Sequence, residues 1–148
     1  MCGMRHAPPS PPQRSDFNAI ILRCITNLKN GTSTGFDYLP AEFLKFARIE
    51  MDSPNFQSFR HLLAPTISSL FFRMMNDHTM NDSWKCAKLC PLFKKGPSNL
   101  PQSYRMLAIN SVLYRLYSNV LRDLATNWAQ QHQQIPSTQF GFCPGRNT

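Results

Sequence analysis

The sequence predicts an α+β fold in which three or four helices surround a small β-hairpin. Apolar residues recur at helical spacing in three stretches, and two short predicted strands flank a polar turn. The chain has 148 residues, of which 42% are hydrophobic and 16% charged. Such a chain is long enough to bury a core, and its composition excludes an intrinsically disordered protein.

A proline-rich leader precedes the first predicted helix. Residues 7–12 have the sequence APPSPP, and we predict an extended, unfolded tail over residues 1–14, with residues 15–148 forming the folded domain. A ligand for SH3-type domains is the alternative.

Two helices are predicted in the first third of the folded part. Asp16 suits the N-cap of the first, and Asn30-Gly31 suits its end. Its apolar face consists of Phe17, Ile20, Ile21, Cys24, Ile25 and Leu28. After a loop over residues 32–37, Pro40 favours the first position of a second helix that continues to Ala47.

The middle of the chain is expected to be irregular over residues 49–59 and then helical, with Pro65 at the start of the helix or at a kink. The predicted apolar face of this helix consists of Leu62, Leu63, Ile67, Leu70, Phe71, Met74 and Met75.

Residues 85–93 alternate as a strand does, and residues 104–109 are predicted as a second short strand. The basic turn at residues 94–99 lets the two pair as a hairpin with a long loop. A last helix, ended by Ile135-Pro136, has the clearest apolar stripe of the chain. This stripe consists of Val112, Leu113, Leu116, Tyr117, Val120, Leu121, Leu124 and Trp128.

Positive charge is concentrated in the second half of the chain. The formal charge is +8, and residues 85–148 contribute +7 of it, because Asp123 is their only acidic residue against eight basic ones. This excess favours polyanionic partners, nucleic acid first and an anionic membrane surface second. The competing interpretation is a set of ordinary solvated Lys and Arg side chains.

The five cysteines are scattered, and no pairing with histidine completes a zinc site. An odd number without a secretory signal indicates free thiols in a reducing compartment, so we expect an intracellular protein, nuclear or cytoplasmic. No apolar run approaches the roughly 20 residues of a membrane span.

A candidate phosphate site lies at the turn of the predicted hairpin. Lys94 and Lys95 supply mobile point charges, Arg105 supplies a planar fork, and Gly96 permits a close approach of the backbone. A solvated lysine-rich turn is the alternative. Residues 31–35 (GTSTG) are not a phosphate loop, because they follow a helix and lack the Gly-Lys-Ser/Thr ending.

Four segments in this order resemble the reverse transcriptases of non-LTR (LINE-type) retrotransposons. The segments are residues 28–37 with 39–45 (LKNGTSTGFD, LPAEFLK), residues 80–85 with 87–96 (MNDSWK, AKLCPLFKKG), residues 104–105 with 107–109 (YR, LAI), and residues 139–148 (QFGFCPGRNT). The last is similar to the family pattern Q-x-G-F-x-P-G-R-x-T. The sequence departs from the family at Thr32 and Thr34, where Lys and Pro are usual, and at Met106, where Pro is usual.

The resemblance implies a fingers subdomain with the start of a palm, in contact with an RNA or DNA template and a deoxynucleoside triphosphate. Lys94, Lys95 and Arg105 would hold the triphosphate. The residues that would lie beside the template and the nucleotide pocket are Gln139, Phe140, Gly141, Phe142 and Arg146.

The family's catalytic aspartates have no counterpart in the sequence, although two-metal nucleotidyl transfer depends on them. None of the eight acidic residues matches them: Asp16, Asp37, Glu42, Glu50, Asp52, Asp77, Asp82 and Asp123. We therefore expect a polymerase fragment without catalytic activity or cofactor, with magnesium belonging only to the complete enzyme. A non-catalytic nucleic-acid-binding module and a non-functional, poorly folded partial product are the alternatives.

Overall fold

The described part of the chain contains four α-helices and two separate two-stranded antiparallel sheets, which confirms the predicted α+β class. The computed structural model describes residues 14–51, 58–136 and 139. In chain order the elements are α1 (Arg14–Thr26), α2 (Ala41–Lys45), β1 (Arg48–Met51), β2 (Ser58–His61), α3 (Ala64–Asn76), β3 (Lys88–Phe93), β4 (Tyr104–Ile109) and α4 (Val112–Gln131). Short 3₁₀ turns at Asp82–Lys85 and Pro101–Ser103 precede β3 and β4. The predicted leader at residues 1–13 lies outside the described residues.

Helix α1 buries the apolar face that its spacing predicted. The fully or nearly fully buried side chains are Phe17, Ile21, Cys24, Ile25 and, just beyond the helix, Leu28, while Ile20 is partly buried. The predicted N-cap is wrong, because the helix begins at Arg14 and Asp16 lies in its first turn. An acidic residue is favoured at a cap and also in the first turn of a helix, so its type does not distinguish the two positions.

Helix α2 is shorter than predicted. Pro40 is its N-cap instead of its first residue, and the helix ends at Lys45 and not at Ala47. The carbonyl of Ala47 accepts a hydrogen bond from the Leu62 backbone N–H at 2.8 Å. The helix therefore ends before Ala47, because the backbone there pairs with the segment that precedes α3.

The expectation of an irregular stretch over residues 49–59 is wrong at its two ends. Strand β1 pairs with β2 in the register Arg48↔His61 to Met51↔Ser58, and residues 52–57 lie outside the described residues. A strand of four residues is too short to show clear alternation, so only its pairing partner reveals it.

Helix α3 begins as predicted, with Pro65 in its first turn. Its buried residues are Ala64, Ile67, Ser68, Phe71 and Met74. Leu62 and Leu70, which were expected on the apolar face, are 52% and 42% exposed. Ser68 is buried instead, and its hydroxyl donates a hydrogen bond to Asn18 Oδ1 on α1. A small polar side chain thus stands where α3 meets α1.

Helix α4 confirms most of its predicted stripe. Val112, Leu116, Tyr117 and Val120 are buried, Leu113 and Leu124 are partly buried, and Leu121 is exposed. Ser111, which was not predicted as a cap, accepts a hydrogen bond from the Tyr114 backbone N–H at 3.2 Å and begins the helix.

The core lies where α1 contacts α3 and α4. The Phe71 ring is fully buried, and its centroid lies 5.0 Å from that of Tyr117 and 6.1 Å from that of Trp84. Both pairs have the edge-to-face arrangement that aromatic rings favour. Trp84 comes from the 3₁₀ turn before β3, so this cluster attaches the base of the hairpin to the helices.

The hairpin of β3 and β4 is confirmed, with β4 at its predicted bounds and β3 beginning at Lys88 instead of Lys85. The helices do not surround it, contrary to the prediction, because all six residues of β3 are exposed. None of the described helices is both long and apolar enough to cross a lipid bilayer.

Candidate nucleic-acid interface

The tip of the hairpin is a tight, ordered loop that carries two lysines. The backbone N–H of Lys94 donates to the Ser103 carbonyl at 2.7 Å and extends the strand pairing beyond Phe93. Gly96 has φ +100°, a conformation that L-residues with a side chain rarely adopt. A β-carbon at Gly96 would lie 3.0 Å from Ser103 Oγ, so a larger residue there would also crowd the loop.

Two side-chain hydroxyl groups donate hydrogen bonds to backbone carbonyls of the loop. Ser103, which is buried, donates from Oγ to the Pro97 carbonyl at 2.6 Å. The Tyr104 hydroxyl donates to the Ser98 carbonyl at 2.9 Å. These bonds satisfy loop carbonyls that would otherwise depend on water, and they order the loop while Lys94 and Lys95 remain exposed.

Arg105 lies at the same end of the hairpin as the two lysines. It pairs with Leu92, two residues before Lys94, and is exposed. Because side chains alternate across a strand, Arg105 shares one face of the hairpin with Leu92 and Lys88. The other face is apolar and largely exposed; it is formed by Leu89, Pro91, Phe93, Tyr104, Met106 and Ala108.

All charged residues of the hairpin are basic. Its residues 88–109 contain Lys88, Lys94, Lys95 and Arg105 and no Asp or Glu. Among the described residues, the ion pairs join Arg23 and Arg122 to Asp123, Arg73 to Asp77, and Lys85 to Asp82, and none involves the hairpin. The four cations therefore face solvent without a carboxylate, an arrangement suited to phosphate oxygens.

Of the remaining predicted site residues, the structure describes Gln139. Gln139 is exposed, and its backbone N–H donates to the Pro136 carbonyl at 3.1 Å. The other four residues predicted beside the template, Phe140, Gly141, Phe142 and Arg146, lie outside the described residues.

The loop between α1 and α2 is held by polar contacts at both ends. Lys45 Nζ donates to the Leu28 carbonyl at 2.9 Å, and Glu42 Oε1 accepts from the Gly31 backbone N–H at 2.5 Å. This hydrogen bond lowers the pKa of Glu42. Asp37 Oδ1 accepts from the Leu39 backbone N–H at 3.3 Å. These polar residues of the first resembling segment thus hold the loop together.

Sequence reasoning missed the contact that attaches this loop to α4. Arg115 Nη2 donates to the Ser33 carbonyl at 3.2 Å, across 82 positions of the chain. Gly35 is buried against the Asn110–Ser111 backbone, which leaves no room for a side chain. The glycine at position 35 is visible in the sequence, but the sequence does not indicate that it contacts the backbone at residues 110–111.

The described carboxylates that form ion pairs do so with Arg or Lys side chains. Asp82 accepts from Lys85 Nζ at 2.5 Å, and this hydrogen bond lowers the pKa of Asp82 and raises that of Lys85. Across residues 14–51, 58–136 and 139, no three His, Cys, Asp or Glu side chains converge as metal ligands do. The described residues therefore do not fit a pair of magnesium ions.

No protein-family model matches the chain, and no curated protein matches it at a significant level.

Proposed function

We propose that this chain is the fingers portion of the RNA-directed DNA polymerase of a non-LTR retrotransposon. The proposal is supported by the four ordered sequence segments and by one structural observation that carries it. Lys94, Lys95 and Arg105, which come from two of those segments, lie exposed at one end of a hairpin that has no carboxylate.

In this proposal the hairpin contacts phosphates of the incoming nucleotide. The two lysines supply point charges and Arg105 supplies a planar fork of donors. The ordered loop holds these cations near each other before a ligand arrives, which lowers the entropic cost of binding. Residues 139–146 would lie beside the template.

In the same proposal, the chain by itself does not synthesise DNA. Magnesium would supply activation of the primer hydroxyl and charge neutralisation on the phosphates in the complete enzyme. Glu42 and Asp37 act as loop acceptors, and Asp77, Asp82 and Asp123 act as ion-pair partners. With an RNA template, a DNA primer and magnesium, we expect the purified chain to give no templated extension; templated synthesis would exclude the non-catalytic assignment.

A non-catalytic nucleic-acid-binding module is the second candidate, favoured by the +7 charge of residues 85–148. A partial product that folds poorly is the third, because the exposed apolar face of the hairpin includes Leu89 and Met106, which are 65% and 64% exposed. A broad, non-cooperative thermal transition with binding of a hydrophobic dye would favour the third candidate over the other two.

The proposed role of the hairpin is tested with two triple variants of equal charge. One carries Lys94→Ala, Lys95→Ala and Arg105→Ala; the matched control carries Arg60→Ala, Arg73→Ala and Lys85→Ala, all at exposed positions outside the hairpin. Binding of a fluorescent dNTP and of single-stranded RNA is measured as a function of salt.

We expect the hairpin variant to lose about tenfold or more in dNTP affinity and the control to stay close to the unsubstituted chain. For RNA, the slope of log K against log salt is expected to fall by about 2, since each lost phosphate contact removes roughly 0.7. Equal losses in both variants would show that only net charge matters, and the hairpin assignment would then be wrong. Loss of RNA binding alone, with no dNTP binding in any variant, would favour the second candidate.

A further inference from the structure

A cavity of about 290 Å³ opens between the end of α1, the residues that follow it and the middle of α4. Most of the residues that line it are polar or charged. Those that matter for its chemistry are Asn27, Lys29, Arg115, Asn119, Arg122 and Asp123. No residue of the hairpin lines the cavity.

The lining has more positive than negative charge. Lys29, Arg115 and Arg122 face a single carboxylate, that of Asp123. Both oxygens of this carboxylate are engaged, because Oδ1 accepts from Arg122 Nη2 at 2.9 Å and Oδ2 accepts from Arg23 Nη2 at 3.1 Å. The carboxylate therefore pairs with two guanidinium groups, and it does not neutralise the positive charges of Lys29 and Arg115.

Lys29 and Arg115 are the cations that remain. Among the described residues, the amino group of Lys29 has no ion-pair or hydrogen-bond partner. Arg115 donates from Nη2 to the Ser33 carbonyl at 3.2 Å, which fixes the position of its guanidinium group. Its Nε is buried and likewise has no hydrogen-bond partner within the described part of the chain. Burying a charged donor without a partner is unfavourable, and a nearby anion would offset that cost.

We propose that this cavity binds a phosphate group through Lys29 and Arg115, with Arg122, whose guanidinium also pairs with Asp123, adding positive charge to the lining. Lysine and arginine together supply the point charge and the planar donors that phosphate oxygens accept, and the amides of Asn27 and Asn119 add neutral donors. An RNA backbone and a free nucleotide both present this group. The inference does not depend on the reverse transcriptase assignment, because it uses only contacts between α1, its following loop and α4.

A ligand that binds the folded state alone raises its melting temperature. In sodium phosphate, compared with sodium chloride at equal ionic strength, we expect the melting temperature to rise by roughly 3–8 °C at phosphate concentrations about tenfold above the dissociation constant. Phosphate also stabilises proteins by exclusion from their surface, so the comparison that decides is between variants in the same buffers.

The cavity variant carries Lys29→Gln and Arg122→Gln, and the matched control carries Arg60→Gln and Arg73→Gln, which are exposed and do not line the cavity. We expect the control to keep the phosphate-induced rise and the cavity variant to lose most of it. Equal rises in the two variants would overturn the proposal.

Asn119→Asp provides a second test that does not depend on removing a cation. A carboxylate at position 119 would occupy the cationic cavity from within the chain. We expect this variant to melt at a higher temperature in chloride and to respond much less to phosphate. An unchanged response to phosphate would contradict the proposal.

The two phosphate sources are separated by titrating the chain with dATP and with a short single-stranded RNA. If the RNA backbone is the ligand, the cavity variant lowers the salt slope of RNA binding by about 0.7, equivalent to one phosphate contact. If a free nucleotide is the ligand, the cavity variant weakens dATP binding and leaves the RNA slope unchanged. The Lys94→Ala, Lys95→Ala, Arg105→Ala variant keeps the rise in inorganic phosphate, which distinguishes failure at the cavity from failure at the hairpin.

Discussion

Gly35 lies directly against the backbone of Ser111, such that a β-carbon on Gly35 would be 2.6 Å from the Ser111 nitrogen and 2.8 Å from its α-carbon. Ser111 is the N-cap of α4, so this contact joins the loop after α1 to the start of the last helix. We expect Gly35→Ala to lower the free energy of unfolding by about 2 kcal/mol, because the backbone itself has to move to admit the methyl group. Urea denaturation measures the change.

Gly31→Ala is the matched control for this prediction. Gly31 has φ +66° but has no atom within 4 Å of the position that a β-carbon would take. The cost there comes from the left-handed backbone alone, about 1 kcal/mol. If Gly35→Ala costs no more than Gly31→Ala, the close approach to Ser111 does not contribute to stability.

The aromatic cluster around Phe71 is expected to dominate the stability of the core. Phe71→Ala removes a fully buried ring that contacts Tyr117 and Trp84, and it should lower the free energy of unfolding by about 3–5 kcal/mol. Phe43, which is 58% exposed, provides the control, and Phe43→Ala should change stability by roughly 0.5 kcal/mol or less. Similar effects of the two substitutions would place the core elsewhere.

The ion pairs of Asp123 should make the free energy of unfolding depend on pH in the acidic range. Burial of Asp123 opposes its ionisation, but hydrogen bonds from Arg122 and Arg23 outweigh burial and lower its pKa below the ordinary value of 3.8. A lowered pKa means that the contribution is present in full above about pH 5 and is lost as pH falls through 3.8 and below. Asp123→Asn should therefore cost about 1 kcal/mol at pH 7 and reduce the loss of stability between pH 5 and pH 3.

Asp77→Asn is the control for the pH measurement. Asp77 lies on the surface at 3.9 Å from Arg73, and exposed pairs of this kind contribute little. Denaturation curves at several pH values should show the altered pH profile in Asp123→Asn and a nearly unchanged one in Asp77→Asn. The same profile in both variants would mean that the interactions of Asp123 do not contribute to folding.

The cysteines should differ sharply in reactivity. Burial, with a further contribution from the Asp123 carboxylate, raises the pKa of the Cys24 thiol from 9.0 to about 11. Since the thiolate is the reactive form, Cys24 should be alkylated by iodoacetamide at pH 8 about a hundredfold or more slowly than the exposed Cys86 and Cys90. Peptide mass mapping over time measures the rates, which should converge in urea. Equal rates in the folded protein would show that Cys24 is accessible.

The elements that sequence reasoning predicted well are those with a local signal. The apolar stripes of α1 and α4 repeat over several turns, and the structure confirms most of their residues as buried or partly buried. Strand β4 is also confirmed at its predicted bounds, although burial does not alternate along it. Strands β1 and β2 were missed because four residues carry too little alternation to be recognised. Leu70 was placed on the wrong side of α3 because helical spacing defines a stripe but not the width of surface that a neighbouring helix covers.

For the candidate site, the sequence by itself determined which residues are cationic, that two strands carry them and that a turn separates those strands. The register Leu92↔Arg105, which brings Arg105 to the same end as Lys94, is a property of pairing and was decided by the fold. Tertiary structure alone decided that Lys29 lies at the same cavity as Arg115 and Arg122 of α4. Packing of α4 against α1 brings these charges together, and local periodicity carries no information about contacts between distant parts of a chain.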